Sequence, residues 1–280
     1  MDDIILLTAC INPGGMPFTV VSDATQRLNQ YLLALQFYLQ NTSCPIVFVD
    51  NSNMDKTPFL EYESQYGSRL EILSFDGNKV KTQGKGLGEM EIIEYALIHS
   101  KFNLLLDKHR IVKITGRLIV RNINSLLKCD KWHLYPYKSI VCHVNSDLTF
   151  ADSRIFISLG SFMNLLVKQK KYLNDTKGIY FEHLLCQQIK QQKTFTFFPF
   201  ITEPHFEGIS GSTGIKYEKP NTSLLYKLRY LNFQMGVQKQ IFCEDDSCSK
   251  RLLFRVICMV ITYMSSLLIK ILQYKTKEVV

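Results

Sequence analysis

The stretch VKITGRLIV, residues 112–120, decides how this sequence folds. Its apolar positions have the length of a buried strand, and Thr115, Gly116 and Arg117 form a small polar corner where that strand would end. Side chains alternate along a strand, so Lys113, Thr115 and Arg117 are expected on one face. The stretch therefore predicts a core strand that ends in a basic, polar corner.

The segments on both sides of this strand alternate between strand and helix patterns, which is typical of a doubly wound α/β sheet. In the first half, strands are predicted over 4–10, 45–52 and 70–75, and helices over 23–41 (capped by Ser22), 57–65, 89–100 and from about Asn122. In the second half, strands are predicted over 132–137, 139–144 and 194–200, helices near 158–172 and 178–192, and a glycine- and serine-rich loop over 204–217.

The predicted strands end in polar residues. Ligands of doubly wound sheets bind at the carboxyl ends of the strands, so these ends are candidate site positions. A purely structural sheet also has polar loops, so the pattern indicates a place and not yet a function. The four ends are Thr8 to Asn12, Asp50 to Asn53, Phe75 to Asn78 and Thr115 to Arg117.

A second candidate is GKGLGE, residues 84–89. It lacks the Gly-Lys-Ser/Thr ending of a phosphate-binding Walker motif, and no acid follows at the spacing of a dinucleotide fingerprint. Its three glycines would let a ligand approach the backbone, and Lys85 supplies a cation just before a predicted helix. The segment therefore predicts an anion site, with a flexible surface loop as the alternative.

The net charge of +8 is concentrated at the C-terminus. Residues 250–280 hold six Lys or Arg and one acid, so this segment carries +5 and the remaining residues carry +3. A body with so little excess charge does not fit a nucleic-acid binder, whereas a basic, apolar tail fits a membrane surface. Its uncharged centre, 256–269, would form a helix of about 21 Å, short of a bilayer core of about 30 Å. We expect it to lie in the interface; a span, or a helix packed on the protein's own body, is the alternative.

The start of the chain and its cysteines favour a cytosolic protein. The first residues, MDDIILLTAC, have acids where a signal peptide has basic residues. Eight cysteines are scattered without a CxxC pair, which indicates reduced thiols. A metal site at Cys243 and Cys248 is a weaker alternative. The predicted location is cytoplasmic, peripherally associated with the cytoplasmic membrane.

Residues 3–125 resemble the nucleotide-sugar-binding half of GT-A glycosyltransferases, through ILLTACIN, VFVDNSN and GKGLGEMEIIEYAL. The ordered set KGLGE, KITGR, NSDLTFADSRIF, FEHLL and GISGSTGIKY resembles bacterial glycosyltransferases of capsule, O-antigen and lipopolysaccharide loci. The resemblance implies a GT-A-like, Rossmann-like fold. It implies a catalytic domain over 1–240, divided into a donor half (1–125) and an acceptor half (126–240), followed by the membrane-associating helix over 250–280.

The sequence departs from this family at the strand that should end in a metal-binding Asp-x-Asp, because VKITGR has no carboxylate. Fixed cations can neutralise a diphosphate in place of a metal, and arginine offers a bidentate fork. A site without a metal cofactor is therefore favoured. Mg²⁺ or Mn²⁺ held by Asp147 or Asp152, with His205 as a distant ligand, is the alternative. An ordinary salt bridge is the alternative role for Arg117.

The resemblance implies three groups of site residues. Glu182 of FEHLL is the first choice for the base that deprotonates an acceptor, with Asp147 and Asp152 as alternatives. The predicted acceptor and lid residues are Arg154, His205, Ser210 and Gly211. The predicted donor-binding residues are Thr8, Ala9, Asn12, Asp50, Asn51, Lys85, Gly86, Lys113, Thr115, Gly116 and Arg117.

The function implied is transfer of a sugar from a nucleoside diphosphate, with UDP as the expected nucleotide, to a glycan carried on a polyprenyl diphosphate. The basic tail would hold the enzyme at the inner face of the cytoplasmic membrane, where that acceptor lies. Two alternatives stay open: a nucleotidyltransferase of sugar-nucleotide metabolism, and a non-catalytic membrane-associated scaffold with the same fold.

Overall fold

The computed structural model describes residues 3–17, 19–80, 83–131, 137–218 and 221–243. The tail predicted over 250–280 and almost all of the strand predicted over 132–137 lie outside these residues. Within the described ranges, none of the helices combines the length and apolarity needed to cross a bilayer.

The described elements alternate in the first half, as the sequence predicts. The strands are β1 (Asp3–Ala9), β2 (Ile46–Asp50), β3 (Leu70–Ser74), β4 (Arg110–Thr115), β5 (Ile119–Val120), β6 (Ser139–Val141), β7 (Ile155–Leu159), β8 (Thr196–Phe198) and β9 (Phe206–Glu207). The α-helices are α1 (Ala24–Asn41), α2 (Leu60–Tyr66), α3 (Lys85–His99), α4 (Ile123–Lys131), α5 (Gly160–Val167), α6 (Phe181–Gln191) and α7 (Leu224–Cys243).

Seven strands form one mixed, mostly parallel sheet in the order β3-β2-β1-β4-β7-β6-β8. The pairs β1–β2, β2–β3, β1–β4 and β6–β8 are parallel, whereas β7 runs antiparallel to both β4 and β6. Strands β5 and β9 form a separate antiparallel pair. The predicted α/β class is confirmed, and the carboxyl ends of β1 to β4 meet at one edge of the sheet.

Hydrophobic cores cover both faces of the sheet, which explains why β1 reads as an unbroken apolar run. Ile4 and Leu6 pack into one core with helices α3, α5 and α6. Ile5 and Leu7 pack into the other with helices α1 and α4. The single sheet runs through both predicted halves of the catalytic domain, because β6, β7 and β8 continue the sheet formed by β1 to β4.

Two helix starts differ from the prediction. The N-cap of α1 is Asp23, whose Oδ1 accepts from the backbone N of Gln26 at 2.6 Å, and not Ser22. Helix α3 begins at Lys85, so GKGLGE forms its first turn and not a free loop. The glycines of that turn tolerate close neighbours, which the candidate site below makes use of.

The largest error in the prediction is the omission of strand β7, which runs directly into helix α5. Gly160 allows this sharp change, because a Cβ at that position would overlap the carbonyl of Leu104. The helix predicted near 158–172 is present as α5 but is shorter, because it ends at Val167. Helix α7 was not predicted at all; its buried residues include Tyr230, Met235, Val237 and Ile241.

Candidate active site

A cavity of about 550 Å³ opens at the carboxyl ends of β1, β2 and β4. The starts of α3 and α6 and the segment 208–217, called the 208–217 loop below, complete its wall. The cavity is lined by eleven of the site residues predicted from the sequence: Thr8, Ala9, Asn51, Lys85, Gly86, Thr115, Arg117, Arg154, Glu182, Ser210 and Gly211.

Arg117 connects the end of β4 to the 208–217 loop. Its Nη1 donates to the backbone oxygen of Ile209 at 3.1 Å and to Oε1 of Gln30 at 3.3 Å. Gly211 lies against the guanidinium so closely that a Cβ there would overlap Nη2. Nε of Arg117 is buried and has no hydrogen-bond partner among the described residues. The arrangement leaves a cation at the cavity wall whose hydrogen bonds go to neutral oxygens.

Lys85 makes a second connection between the sheet edge and the same loop. Its Nζ, at the first turn of α3, donates to Oγ of Ser212. Burial lowers the pKa of Lys85 below its ordinary value, and the charge of Asp175 opposes that shift. Lys85 and Arg117 therefore bring two positive charges to one side of the cavity.

The N-terminus of α3 is already occupied by a carboxylate. Oδ2 of Asp175 accepts from the backbone N of Gly86 at 3.1 Å. A Cβ at Gly84 would overlap the Asp175 side chain, so the glycine there makes room for it. Burial raises the pKa of Asp175, and the hydrogen bonds from Gly86 and Lys85 oppose that rise. The anion predicted at GKGLGE is thus supplied by the protein itself, from a residue that sequence reasoning did not select.

Lys113 does not line the cavity, contrary to its prediction as a donor-binding cation. Its side chain is 0% exposed and forms an ion pair with Glu89 of α3. Its Nζ also donates to the backbone oxygen of Ser153. The ammonium of Lys113 is already paired inside the protein, so it is not available to a diphosphate.

Glu182 points into the cavity from the first turn of α6. Ser153 donates from Oγ to Oε1 of Glu182 at 2.6 Å. Burial raises the pKa of Glu182, and this hydrogen bond opposes the rise. A half-desolvated carboxylate of this kind can exchange a proton nearer to neutral pH than an exposed one can.

Arg154 and Asp152 act as a pair, but only the arginine lines the cavity. Nε and Nη2 of Arg154 donate to the two oxygens of Asp152 at 2.9 and 2.7 Å. The guanidinium lies 4.1 Å from the ring centroid of Phe206 and 5.1 Å from that of Tyr217. Asp152 is therefore engaged in orienting Arg154, which argues against its predicted role as a base or metal ligand.

The cavity wall also contains a pair of amides. Asn51 and Asn78 donate to each other's oxygens at 3.0 and 3.2 Å, and Asn78 also donates to Sγ of Cys10 at 3.0 Å. Tyr31 and Arg27 line the wall beside them. Cys10 and Asn78 lie in strand ends that the sequence predicts as candidate site positions, and Asn51 was also named as donor-binding; Arg27 and Tyr31 were not selected from the sequence.

Two predicted donor residues have structural tasks instead. Asp50 is fully buried and accepts from the backbone N atoms of Ile11 and Ser52, both at 2.8 Å, so it shapes the ends of β1 and β2. Gly116 donates from its N to the oxygen of Thr8 at 2.9 Å, and a Cβ there would lie 2.8 Å from that oxygen. Its glycine serves close strand packing, and not the approach of a ligand.

Three further predicted residues lie outside the cavity wall. Asn12 is exposed and caps its own turn by accepting from the N of Gly14. Asp147 is exposed and accepts from the N and Oγ1 of Thr149, which places it in a surface turn. His205 lies in a separate small cavity of about 40 Å³. Neither Asp147 nor His205 is therefore placed to hold a metal in the main cavity.

The described residues contain no group of three or more His, Cys, Asp or Glu that could hold a metal ion. Three carboxylates do line the cavity, but each has a different partner. Glu89 pairs with Lys113, Glu182 accepts from Ser153, and Asp175 caps α3. The divalent metal that the sequence resemblance implies for most relatives does not fit this set of residues.

No protein-family model and no curated protein matches the chain. Among solved structures, it is similar to a protein described as a glucose-1-phosphate thymidylyltransferase from Bacillus anthracis, at 13% identity and a TM-score of 0.41, covering 74% of this chain and 89% of the other. It is also similar to a nucleotide-diphospho-sugar transferase from Desulfovibrio desulfuricans G20, at 12% identity and a TM-score of 0.41, covering 71% of this chain and 80% of the other. A third similar structure is a cytidylyltransferase from Leptospira borgpetersenii serovar Hardjo-bovis, at 13% identity and a TM-score of 0.41, covering 81% of this chain and 86% of the other. These likenesses are too remote to assign an activity.

The burial of Lys113 leads to a stability prediction. Lys113→Met removes one partner of a buried ion pair and leaves Glu89, whose side chain is 21% exposed, without its counter-charge. We expect the free energy of unfolding to fall by about 3 kcal/mol, measured by urea titration. The matched control is Arg121→Met, which breaks the exposed pair with Glu207 (side chains 53% and 47% exposed) and should cost less than about 1 kcal/mol. Equal losses in the two variants would contradict a structural role for Lys113.

Proposed function

We propose that this protein is a glycosyltransferase that takes a sugar from a nucleoside diphosphate, with UDP as the expected nucleotide. The observation that carries the proposal is the meeting of Arg117, Lys85 and Glu182 in one cavity at the carboxyl ends of parallel strands. Two cations and a buried carboxylate are the groups that a displacement at a sugar diphosphate requires. The sequence resemblance to GT-A glycosyltransferases supports the same assignment.

The cations would act on the leaving group. When the bond from the sugar to the diphosphate breaks, negative charge develops on the departing phosphate oxygen, and fixed positive groups stabilise that charge. Arg117 can present a fork to two phosphate oxygens, and Lys85 adds a second charge from the start of α3. We propose that these residues do this work, since no carboxylate stands at the end of β4 to hold a metal there.

Glu182 would act on the other partner of the reaction. In an inverting transfer, a carboxylate takes the proton of the acceptor hydroxyl while the hydroxyl oxygen attacks the anomeric carbon. The hydrogen bond from Ser153 to Oε1 fixes the orientation of the carboxylate and leaves Oε2 to receive the proton. This is the only step that we assign to Glu182.

A nucleotidyltransferase is the second candidate, because of one feature of the structure. The segment after β1 contains Gly14 and Gly15 at positive φ, and its Pro13 and Met16 line the cavity. A glycine-rich turn directly after the first strand suits an approach to the phosphates of a nucleoside triphosphate. Release of pyrophosphate from a nucleoside triphosphate and a sugar 1-phosphate would identify this activity. Failure to bind any nucleotide would leave the scaffold alternative.

The identity of the acceptor is a separate part of the proposal. We propose a glycan carried on a polyprenyl diphosphate at the inner face of the cytoplasmic membrane, reached through the basic, apolar segment 250–280. The support for this is the sequence alone: the +5 charge of that segment and its uncharged run over 256–269. The protein would then be cytoplasmic and peripherally attached.

The first test concerns the donor. Arg117→Ala should weaken UDP binding by about 10- to 100-fold, because a charge-assisted fork to phosphate is lost. Isothermal titration with UDP measures the change, and thermal melting checks that the fold is kept. Arg121→Ala, which removes an exposed arginine from a neighbouring position, should bind UDP as the wild type does. Turnover of UDP-sugars should continue in the presence of EDTA, because Arg117 and Lys85 are proposed to act in place of a metal. An unchanged UDP affinity in Arg117→Ala would contradict this role, and so would loss of turnover on addition of EDTA.

The second test concerns pH. A base works only when ionised, so activity should be present above the pKa of Glu182 and be lost as the pH falls through it. Burial raises that pKa, so the acid limb of kcat/KM for UDP-sugar hydrolysis, with water as acceptor, should lie above the ordinary pKa of a glutamate. Glu182→Gln should lower kcat by about 100-fold or more and leave UDP affinity unchanged. The control is Glu207→Gln, an exposed glutamate. Full activity in Glu182→Gln would remove it from the mechanism.

The third test concerns the membrane. Deletion of residues 250–280 removes the basic, apolar segment and should move the protein from the membrane pellet to the supernatant after centrifugation. UDP binding should be retained, because the cavity is built by residues before 218. If the shortened protein still sediments with membranes, the attachment lies elsewhere.

A further inference from the structure

Asp175 has an oxygen without a hydrogen-bond partner, and this oxygen is buried beside the cavity. The residue is only 5% exposed, and it lines the cavity wall. Its Oδ2 accepts from the N of Gly86, whereas Oδ1 is buried and has no partner among the described residues. A buried acceptor of this kind costs free energy unless something bonds it.

Glu89 and the two amides of the cavity are already paired, which distinguishes them from Asp175. Glu89 accepts from Thr8 and pairs with Lys113. The amides of Asn51 and Asn78 bond each other. Among the three carboxylates of the described wall, only Asp175 has an oxygen that is both fully buried and without a hydrogen-bond partner.

The glycine-rich turn of α3 is shaped around this carboxylate. A Cβ at Gly84 would overlap Asp175, and a Cβ at Gly86 would lie 3.0 Å from Oδ1. The N-terminus of a helix attracts anions, but here Asp175 already provides one. A phosphate at the same place would meet a like charge, so the phosphates of a ligand belong on the side of Arg117.

The unpaired oxygen also lies beside the start of α6. The same Cβ built on Gly86 would be 3.3 Å from the N of Phe181, the residue before Glu182. Oδ1 of Asp175 therefore lies close to the backbone at the start of α6, the helix that carries Glu182, and both side chains line the cavity. A group bound to this oxygen would share the cavity with Glu182.

We propose that Oδ1 of Asp175 accepts a hydrogen bond from a hydroxyl group of the donor sugar, and so selects a neutral, hydroxylated sugar. The assignment rests on the proposed function. An ionised carboxylate oxygen accepts hydrogen bonds and does not donate them, so its partner must be a donor such as a hydroxyl. A sugar that presents its own carboxylate at this position is repelled. The diphosphate of the same ligand lies on Arg117 and on the Lys85 ammonium, which reaches Ser212 of the 208–217 loop.

The test compares what the sugar adds to binding. UDP, UDP-glucose, UDP-galactose, UDP-N-acetylglucosamine and UDP-glucuronic acid are titrated into the full-length wild type and into Asp175→Asn. The wild type should bind at least one neutral UDP-sugar more tightly than UDP. In Asp175→Asn this gain should fall about tenfold, because the charged acceptor is lost, while affinity for UDP stays within about twofold. Asp55→Asn, an exposed aspartate that accepts from the N of Thr57, is the matched control and should change neither.

The outcomes separate this assignment from the function on which it rests. If the wild type binds none of the five nucleotides, the proposed function fails, and the role of Asp175 fails with it. If UDP binds but no neutral sugar adds affinity, or Asp175→Asn leaves the gain intact, the role of Asp175 is overturned and the nucleotide site stands. An equal loss for UDP and for UDP-sugars, together with a lower melting temperature, would assign Asp175 to capping α3 alone.

Discussion

The buried ion pair between Lys113 and Glu89 is the interaction on which the centre of the protein depends. It joins β4 to α3, and Thr8 of β1 donates to the same Glu89 oxygen. Lys113 also donates to the carbonyl of Ser153, whose hydroxyl donates to Glu182. Two charges are tolerated away from water only when they bond each other and further polar groups. The strands, the helix and the carboxylate of the cavity are therefore held in one connected arrangement.

Much of the fold could be predicted, because strands that are buried on both faces are apolar without interruption. Residues 4–7 alternate between the two cores, and so the whole run is hydrophobic. The same property explains the failure at β7: the apolar run IFISL continues directly into the apolar helix α5, whose first residue is Gly160. A helix and a strand joined without polar residues have no local pattern that separates them.

The candidate site could be predicted in part, because the ends of parallel strands meet at one edge. Thr8, Asn51 and Arg117 were found in this way and do line the cavity. Alternation along β4 was extended too far, however: the strand ends at Thr115, so Arg117 turns toward the 208–217 loop while Lys113 stays buried. Asp175 was missed because its role comes from contact with a helix that begins 90 positions earlier, and the sequence around it carries no signal of that contact.

Lys113 and Arg117 have different partners, and this explains why only Arg117 of the two is available to a ligand. Lys113 is neutralised by the charge of Glu89, and any ligand that took the ammonium would leave that carboxylate without its partner. Arg117 instead donates to a carbonyl and an amide oxygen, which are neutral. The guanidinium is itself charged, so an ionised acceptor adds a charge–charge attraction that a carbonyl or amide oxygen lacks. If the proposed function holds, a donor phosphate would compete with the carbonyl of Ile209 for Arg117, and the 208–217 loop would lose this contact when the donor binds.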